Sequence, residues 1–297
     1  MIIAVTGANG LIARELIPFL ESCGHTIIRI SSSLKSDSKF LFSYQELASN
    51  LINIKVDVFI HLASLNSRLN QGDINKEVEL TESALSSLVS LQCSRLIFFS
   101  TSKVYGDNTS SNIAFTELSL LTPECSYGRA KSKCESLIAD RSLSTDLHSI
   151  IFRLPPVLNK SYKSNLGRLL GYSRSRIPTF SLPEGETNQR SFISLSNIQL
   201  VIKKLLEDPN LFHQSEIYNL ADTSAISLNA LLRAHSNRVV HNAPKMISQF
   251  IFKIPFLKGM LLRLYGSFVI DNFKLQSEMN VKLESTETLL YELHNLR

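Results

Sequence analysis

The run Ile2-Ile3-Ala4-Val5-Thr6-Gly7-Ala8-Asn9-Gly10-Leu11-Ile12-Ala13 constrains this chain more than any other feature. Its apolar opening predicts a short buried strand. A glycine-punctuated turn follows, then an apolar-periodic helix over about Ala13–Cys23 that Gly24 ends. In this strand–turn–helix context glycines serve a dinucleotide. Gly7 permits the tight turn, Gly10 lets the backbone approach a pyrophosphate, and a small residue at Ala13 lets helix and strand pack closely. The unpaired N–H groups at the helix start then face an anion. Asn9, Leu11 and Ile12 of the turn join Gly7 and Gly10 as candidate cofactor contacts.

The same alternation continues. Strands are predicted at Ile2–Thr6, Thr26–Ser31, Asp57–Ala63, Arg95–Thr101, His148–Leu154 and Glu216–Leu220, with a weaker one at Lys39–Phe42. Helices are predicted between them, at about Tyr44–Ile54, Asn75–Leu91 and Ser126–Arg141. The strands are nearly continuous apolar runs, as when helices cover both faces of a sheet. This predicts an α/β fold with a doubly wound, parallel, Rossmann-type sheet. The nucleotide-binding domain is expected over 1–155, with the strand near 216–220 returning to its sheet. Residues 156–297 would form mainly a smaller substrate-binding lobe, its last 75 residues mostly helical with breaks at Pro244 and Pro255.

At 297 residues and 44% apolar, the chain has enough material for a sizeable core. Its net charge of +5 suits a phosphate-bearing ligand. No basic stripe interleaved with aromatics argues for nucleic acid. Cys23, Cys93, Cys125 and Cys134 lack metal-ligand spacing and read as reduced. No run approaches the ~18 apolar residues of a membrane span, and the chain opens directly in a strand. A cytoplasmic protein without a signal peptide is the expectation.

Tyr127-Gly128-Arg129-Ala130-Lys131 supplies the chemistry. Residues four apart share a helix face, so Lys131 is expected to lower the Tyr127 phenol from ~10 toward working pH. Such a phenol exchanges protons with an alcohol. Thr101 ends a predicted strand at the carboxyl edge, where its hydroxyl would orient the reacting oxygen.

Together these elements resemble the extended short-chain dehydrogenase/reductase superfamily of nucleotide-sugar epimerases, dehydratases and reductases. Thr6–Ala13 looks like its cofactor turn, and His61-Leu62-Ala63 like its fourth-strand motif. Ser100-Thr101-Ser102-Lys103-Val104-Tyr105-Gly106 looks like its Ser/Thr element, and Tyr127–Lys131 like its Tyr–Lys element. The resemblance implies that Leu62, Ala63, Tyr127 and Lys131 also contact the cofactor. Within the superfamily, the chain resembles bacterial surface-polysaccharide enzymes acting on UDP-N-acetylhexosamines, especially 4-keto-6-deoxy-sugar reductases. That finer resemblance lies in Lys163-Ser164-Asn165, Asn188–Ile193 and Arg263–Ser267. It implies that Asn165 and Arg190 contact the UDP part, with Lys103 and Arg263 as further substrate contacts. A fixed-charge, multi-donor guanidinium suits a diphosphate.

Two departures matter. The dehydratases of the superfamily carry Asp-Glu after the Thr; Ser102 and Lys103 stand here, which argues against dehydration. The family's Asn-Val-x-Gly helix stretch reads Glu77-Val78-Glu79-Leu80-Thr81-Glu82, and Glu79 is taken as the equivalent of the asparagine. The expected cofactor is NADP or NAD. Ser31 ends the second strand where an acid would bind a ribose 2′-OH, and Arg29 and Lys35 lie nearby, which favours NADP(H).

The expected function is NAD(P)H-dependent reduction of the C4 ketone of a UDP-linked deoxy-N-acetylhexosamine. The alternatives are an NAD-dependent UDP-hexose or UDP-N-acetylhexosamine 4-epimerase, and a non-catalytic cofactor-binding regulator. The apolar, basic stretch Phe250–Arg263 is expected to pack in the substrate lobe or at a homodimer contact; peripheral membrane attachment is the less favoured reading.

Overall fold

The computed structural model describes residues 1–31, 41–42, 54–65, 69–107, 113–158, 179–236, 239–254, 261 and 265–288. Predictions for Tyr44–Ile54 (all but its last residue), Lys35, Asn165, Pro255 and Arg263 lie outside them.

A seven-stranded sheet organises the first half. Its strands are β1 (Ile2–Thr6), β2 (Thr26–Ile30), β3 (Leu41–Phe42), β4 (Val58–His61), β5 (Arg95–Thr101), β6 (His148–Leu154) and a late strand, Glu216–Asn219. The spatial order is Glu216–Asn219, β6, β5, β4, β1, β2, β3. The pairs β1–β2, β1–β4, β2–β3 and β4–β5 are parallel. The order reverses between β1 and β4, so their carboxyl ends flank the crevice where such sheets take their ligands.

The helices follow the predicted periods. They are α1 (Leu11–Ser22), α2 (Ile74–Ser90) and α3 (Ser126–Ser144). One face of the sheet packs Ala4, Ile28, Phe59, Phe98 and Ile151 with Leu85 and Leu88 of α2 and Ile138 of α3. Burying each of the leucine, isoleucine and phenylalanine side chains among these contributes on the order of 1.5–3 kcal/mol.

The chain forms two compact units that interleave in sequence. The first holds Met1–Gly106, Leu120–Arg153 and Gln199–Tyr218; the second holds Asp107–Ser119, Leu154–Ile198 and Asn219–Arg297. In the second unit, Val157–Leu158 pairs with Ile193–Ser194, and Thr179–Ser181 with Val240–Asn242. Asp222 ties its segments together, accepting from Ser194, Asn197 and Thr286.

The expectation of a mostly helical C-terminal stretch falls partly on residues outside those described. Among the described residues there, the helices Leu228–His235, Lys245–Phe252 and Phe273–Glu278 are short. A strand at Val240–Asn242 and bridges at Phe268 and Ile270 separate them. Pro244 starts a helix instead of breaking one, since the missing N–H of a proline costs little at that point. Phe250 and Met246 of the helix Lys245–Phe252 are exposed in the single chain, so Phe250 is not packed within the lobe. No described helix is long and apolar enough to cross a membrane.

Candidate active site

The nucleotide turn is built as its residue types demand. Gly7 has φ +65°, and a Cβ there would lie 2.7 Å from the backbone of Ala63. Only glycine lets β1 turn while touching the end of β4. The amide of Gly10 donates to the Gly7 carbonyl at 2.7 Å, and a Cβ on Gly10 would meet that carbonyl at 3.0 Å. Gly10 caps α1 without a side-chain hydrogen bond, and the first turn carries no acid. The leading amides are therefore left to an anion. Ala13 is fully buried, allowing the close approach of helix to sheet. Asn9 Nδ2 donates to Ser31 Oγ at 2.9 Å, joining the turn to the end of β2. These features fit a dinucleotide: Gly7, Asn9 and Gly10 line the cradle, and Leu11 and Ile12 open the helix.

Arg29 sits apart from that group. Its guanidinium meets Glu21 at 2.6 Å, in the last turn of α1, which draws it toward the amino edge of the sheet. Ser31 is buried at the carboxyl edge.

Beneath the crevice lies a polar layer that the motifs did not disclose. Thr6 Oγ1 accepts from the amides of Leu62 and Ala63 at 3.2 and 3.1 Å. Its own proton is left for His61 Nδ1, 2.7 Å away, so the ring carries its proton on Nε2, facing Thr81 Oγ1 at 3.5 Å. His61 is 1% exposed; burial and the charge of Lys131 pull its pKa down to about 3. It is neutral and stacks on Phe98.

Thr101 ends β5 as predicted and is buried. Its Oγ1 accepts from Lys103 N at 3.3 Å, capping the single turn Ser102–Tyr105. That bond uses an acceptor site and leaves the hydroxyl proton for a further partner. Helix α3 packs directly on this turn: a Cβ on Gly128 would lie 2.5 Å from the Lys103 carbonyl oxygen. The glycine of Tyr127-Gly128-Arg129-Ala130-Lys131 thus seats the Tyr127 turn against the one that follows Thr101.

Tyr127 is half-buried, whereas Lys131 is 1% exposed. The Lys131 ammonium lies 4.6 Å from the Phe98 ring centroid and 3.1 Å from Glu77 Oε1. Burial works to lower its pKa, but Tyr127 and Glu77 outweigh burial, and the net is upward. The phenol departs from expectation. Burial pushes it up, Lys131 pulls it down, Glu77 pushes it up again, and the net is above the ordinary tyrosine value. A neighbouring lysine does not acidify a phenol whose desolvation it must also offset, and less so when a carboxylate faces that lysine.

Glu77 corrects the reading of Glu79. Glu77 is 1% exposed and its Oε2 accepts from Leu65 N at 2.8 Å; Glu79 is exposed. The sequence held two signals for this. Val78 registers with the valine of Asn-Val-x-Gly, setting Glu77 at the asparagine. Glu77 also lies on the buried stripe of Ile74, Thr81, Leu85 and Leu88.

Of the proposed substrate contacts, Lys103 lies in the first unit on the turn after Thr101. Arg190 lies in the second, where its side chain donates to the Gly266 carbonyl at 2.6 Å and sits over the Phe268 ring. Burial lowers its pKa to about 10, against the pull of Asp107. No described cluster of His, Cys, Asp and Glu suits a metal ion, and all four cysteines are free.

The NAD dependent epimerase/dehydratase family model matches residues 3–221, well over half of the chain, and the chain belongs to that family. It is 23% identical over 250 residues to a UDP-glucose 4-epimerase of Vibrio cholerae, covering 78% of this chain and 74% of the relative. Among solved structures, it resembles the UDP-N-acetylglucosamine 4-epimerase of Bacillus cereus, with TM-score 0.78, 17% identity, and coverage of 100% of this chain and 99% of the other. It also resembles the UDP-glucose 4-epimerase of Thermotoga maritima solved with UDP-glucose: TM-score 0.76, 15% identity, and 99% and 96% coverage. At these identities the structural likenesses establish the fold. Family membership makes the chain an enzyme of the NAD-dependent epimerase/dehydratase class.

Proposed function

We propose that this enzyme moves hydride at C4 of a UDP-linked hexose or N-acetylhexosamine, with 4-epimerisation as its net reaction. The observation that carries the reading is the seating of Gly128 on the Lys103 carbonyl, which brings the Tyr127 turn to the carboxyl edge beside Thr101. The names of the relatives support 4-epimerisation.

When bound, the nicotinamide cofactor would supply hydride acceptance and return. Gly7, Asn9, Gly10 and the α1 amides would hold its pyrophosphate end, and Leu62 and Ala63 would line the crevice. Lys131 would meet its ribose and hold the charge beside Tyr127. Tyr127 would exchange a proton with the C4 oxygen, and Thr101 would orient that oxygen through its remaining hydroxyl proton. Arg190, a half-buried guanidinium, suits the diphosphate; Asn165, Lys103 and Arg263 are further proposed substrate contacts. Ser31, not a carboxylate, follows β2 where an acid would bind a ribose 2′-OH, which supports NADP(H) over NAD(H) as the preferred cofactor.

Net reduction of a 4-keto sugar is the second reading. It is favoured by Glu77, whose carboxylate faces Lys131 and opposes phenolate formation at Tyr127.

Two assays with purified protein test this. Interconversion of C4 epimers of UDP-glucose or UDP-N-acetylglucosamine without net cofactor consumption supports the epimerase. Sugar-dependent loss of reduced-nicotinamide absorbance with a UDP-4-keto-6-deoxy-N-acetylhexosamine supports the reductase. Silence in both, across C4-varied UDP sugars, rejects C4 chemistry.

A further inference from the structure

Lys131 and Glu77 form an ion pair at 3.1 Å, with side chains 2% and 1% exposed. Breaking a buried pair by removing one partner is expensive, because the other charge is stranded. Glu77 is fixed at both ends. Oε1 faces Lys131, and Oε2 accepts from the amide of Leu65, next to Ser64. The carboxylate therefore joins α2, the segment after β4 and the Tyr127–Lys131 face of α3. The family's asparagine would supply hydrogen bonds at this position but no charge.

We propose that Glu77 is a positioning residue for the Tyr127 proton: paired with Lys131, it offsets part of that lysine's charge, so that the phenol in the resting site keeps its proton, set to give it to a C4 oxygen. The inference rests on the C4 reading above. The charged and titratable groups described near the phenol pull in both directions. Burial is the largest influence and opposes phenolate; Lys131 favours it, and Glu77 and Cys125 oppose it. His61 from β4 is neutral, and Cys134 of α3 holds its proton, its thiol raised first by burial. Glu135 of α3 is neutralised by Arg153 at 2.7 Å. Lys103 lies on the turn against which Gly128 packs.

The consequence is directional. In reduction, the C4 carbon takes hydride from reduced cofactor, its oxygen takes the Tyr127 proton, and solvent refills the phenolate. In oxidation the C4 carbon gives hydride to oxidised cofactor and its hydroxyl gives the proton to Tyr127, which must first be phenolate. A protonated resting phenol is ready for the first step. The second rises about tenfold per pH unit until the phenol titrates.

Near-ultraviolet phenolate absorbance of the protein alone, taken as the difference from Tyr127→Phe, reads the proton directly. The expected result is that Glu77→Gln lowers the Tyr127 midpoint by about one pH unit or more, while Glu77→Asp keeps it high. An unchanged midpoint in Glu77→Gln overturns the proposal. If Glu77→Gln does not fold, Glu77→Gln/Lys131→Gln removes both charges together. Its phenol should then titrate near the wild-type midpoint; a rise of more than about one pH unit would show Lys131 acting uncompensated and overturn the proposal. This titration needs neither cofactor nor sugar. A shifted midpoint with no turnover on any C4-varied UDP sugar therefore rejects the C4 reading and leaves the role of Glu77 in holding the proton intact.

Discussion

A Cβ placed on Gly128 would lie 2.5 Å from the carbonyl oxygen of Lys103. That oxygen belongs to backbone, so no rotamer relieves the clash. Gly128→Ala gains up to about 1 kcal/mol of helix propensity but must push the Tyr127 turn off the turn after Thr101. Overpacking of this kind costs about 1–3 kcal/mol. The variant is expected to lose stability in urea unfolding and to lose turnover more than tenfold, as displacement of a reacting group by an ångström does. Turnover at the wild-type level would mean that this contact does not position Tyr127.

Tyr127→Phe removes the proton carrier and little else. Dinucleotide affinity is expected to stay within a few fold of wild type, by titration calorimetry. Turnover is expected to fall by about 100- to 10,000-fold, the scale of a positioned general acid or base. Retained turnover would reject the assignment.

The fold was legible because its signals are local. Ile2–Thr6, Arg95–Thr101 and His148–Leu154 are strands at the predicted residues, since apolar runs bounded by turn chemistry leave little choice. The seat of Gly7 on Ala63 joins residues distant in sequence, and only their matching motifs hinted at it. The proton state of Tyr127 was not legible. Spacing along α3 shows Lys131 but not the burial that opposes it, nor Glu77 approaching from another helix. Charge partners brought in by tertiary packing leave no period in the sequence.

Ser31→Asp tests the cofactor pocket. A carboxylate at the end of β2 would accept from a ribose 2′-OH and repel a 2′-phosphate. The ratio of NADP(H) to NAD(H) affinity is expected to fall at least tenfold. An unmoved ratio would place the ribose end of the cofactor away from Ser31 and from its partner Asn9.

Glu135 accepts from Arg153 through both carboxylate oxygens and from Ser100, and Arg153 also donates to the Tyr105 hydroxyl at 3.0 Å. This buried network clamps α3 to β5 and β6 one turn beyond Lys131. Glu135→Gln strands the Arg153 charge and is expected to cost about 3–5 kcal/mol in urea unfolding. Glu135→Met/Arg153→Met is expected to cost less than Glu135→Gln alone. If the double variant is the less stable of the two, the ion pair contributes net stability.

His61 gives a stability signature with a definite sign. Its pKa is about 3 in the folded protein against about 6.5 in an unfolded chain. Above pH 6.5 neither state holds the extra proton and His61 contributes nothing to pH dependence. Between pH 6.5 and 3 only the unfolded chain takes it up, so stability falls as pH falls, by about 1.4 kcal/mol per unit. Below pH 3 both states are protonated and the loss levels off. His61→Gln keeps an amide between Thr6 and Thr81 without a titrating ring. The wild type is therefore expected to lose more unfolding free energy than His61→Gln between pH 6.5 and 4.5. Parallel losses in the two proteins would mean that His61 takes up its proton in the folded state, at the cost of its hydrogen bond from Thr6.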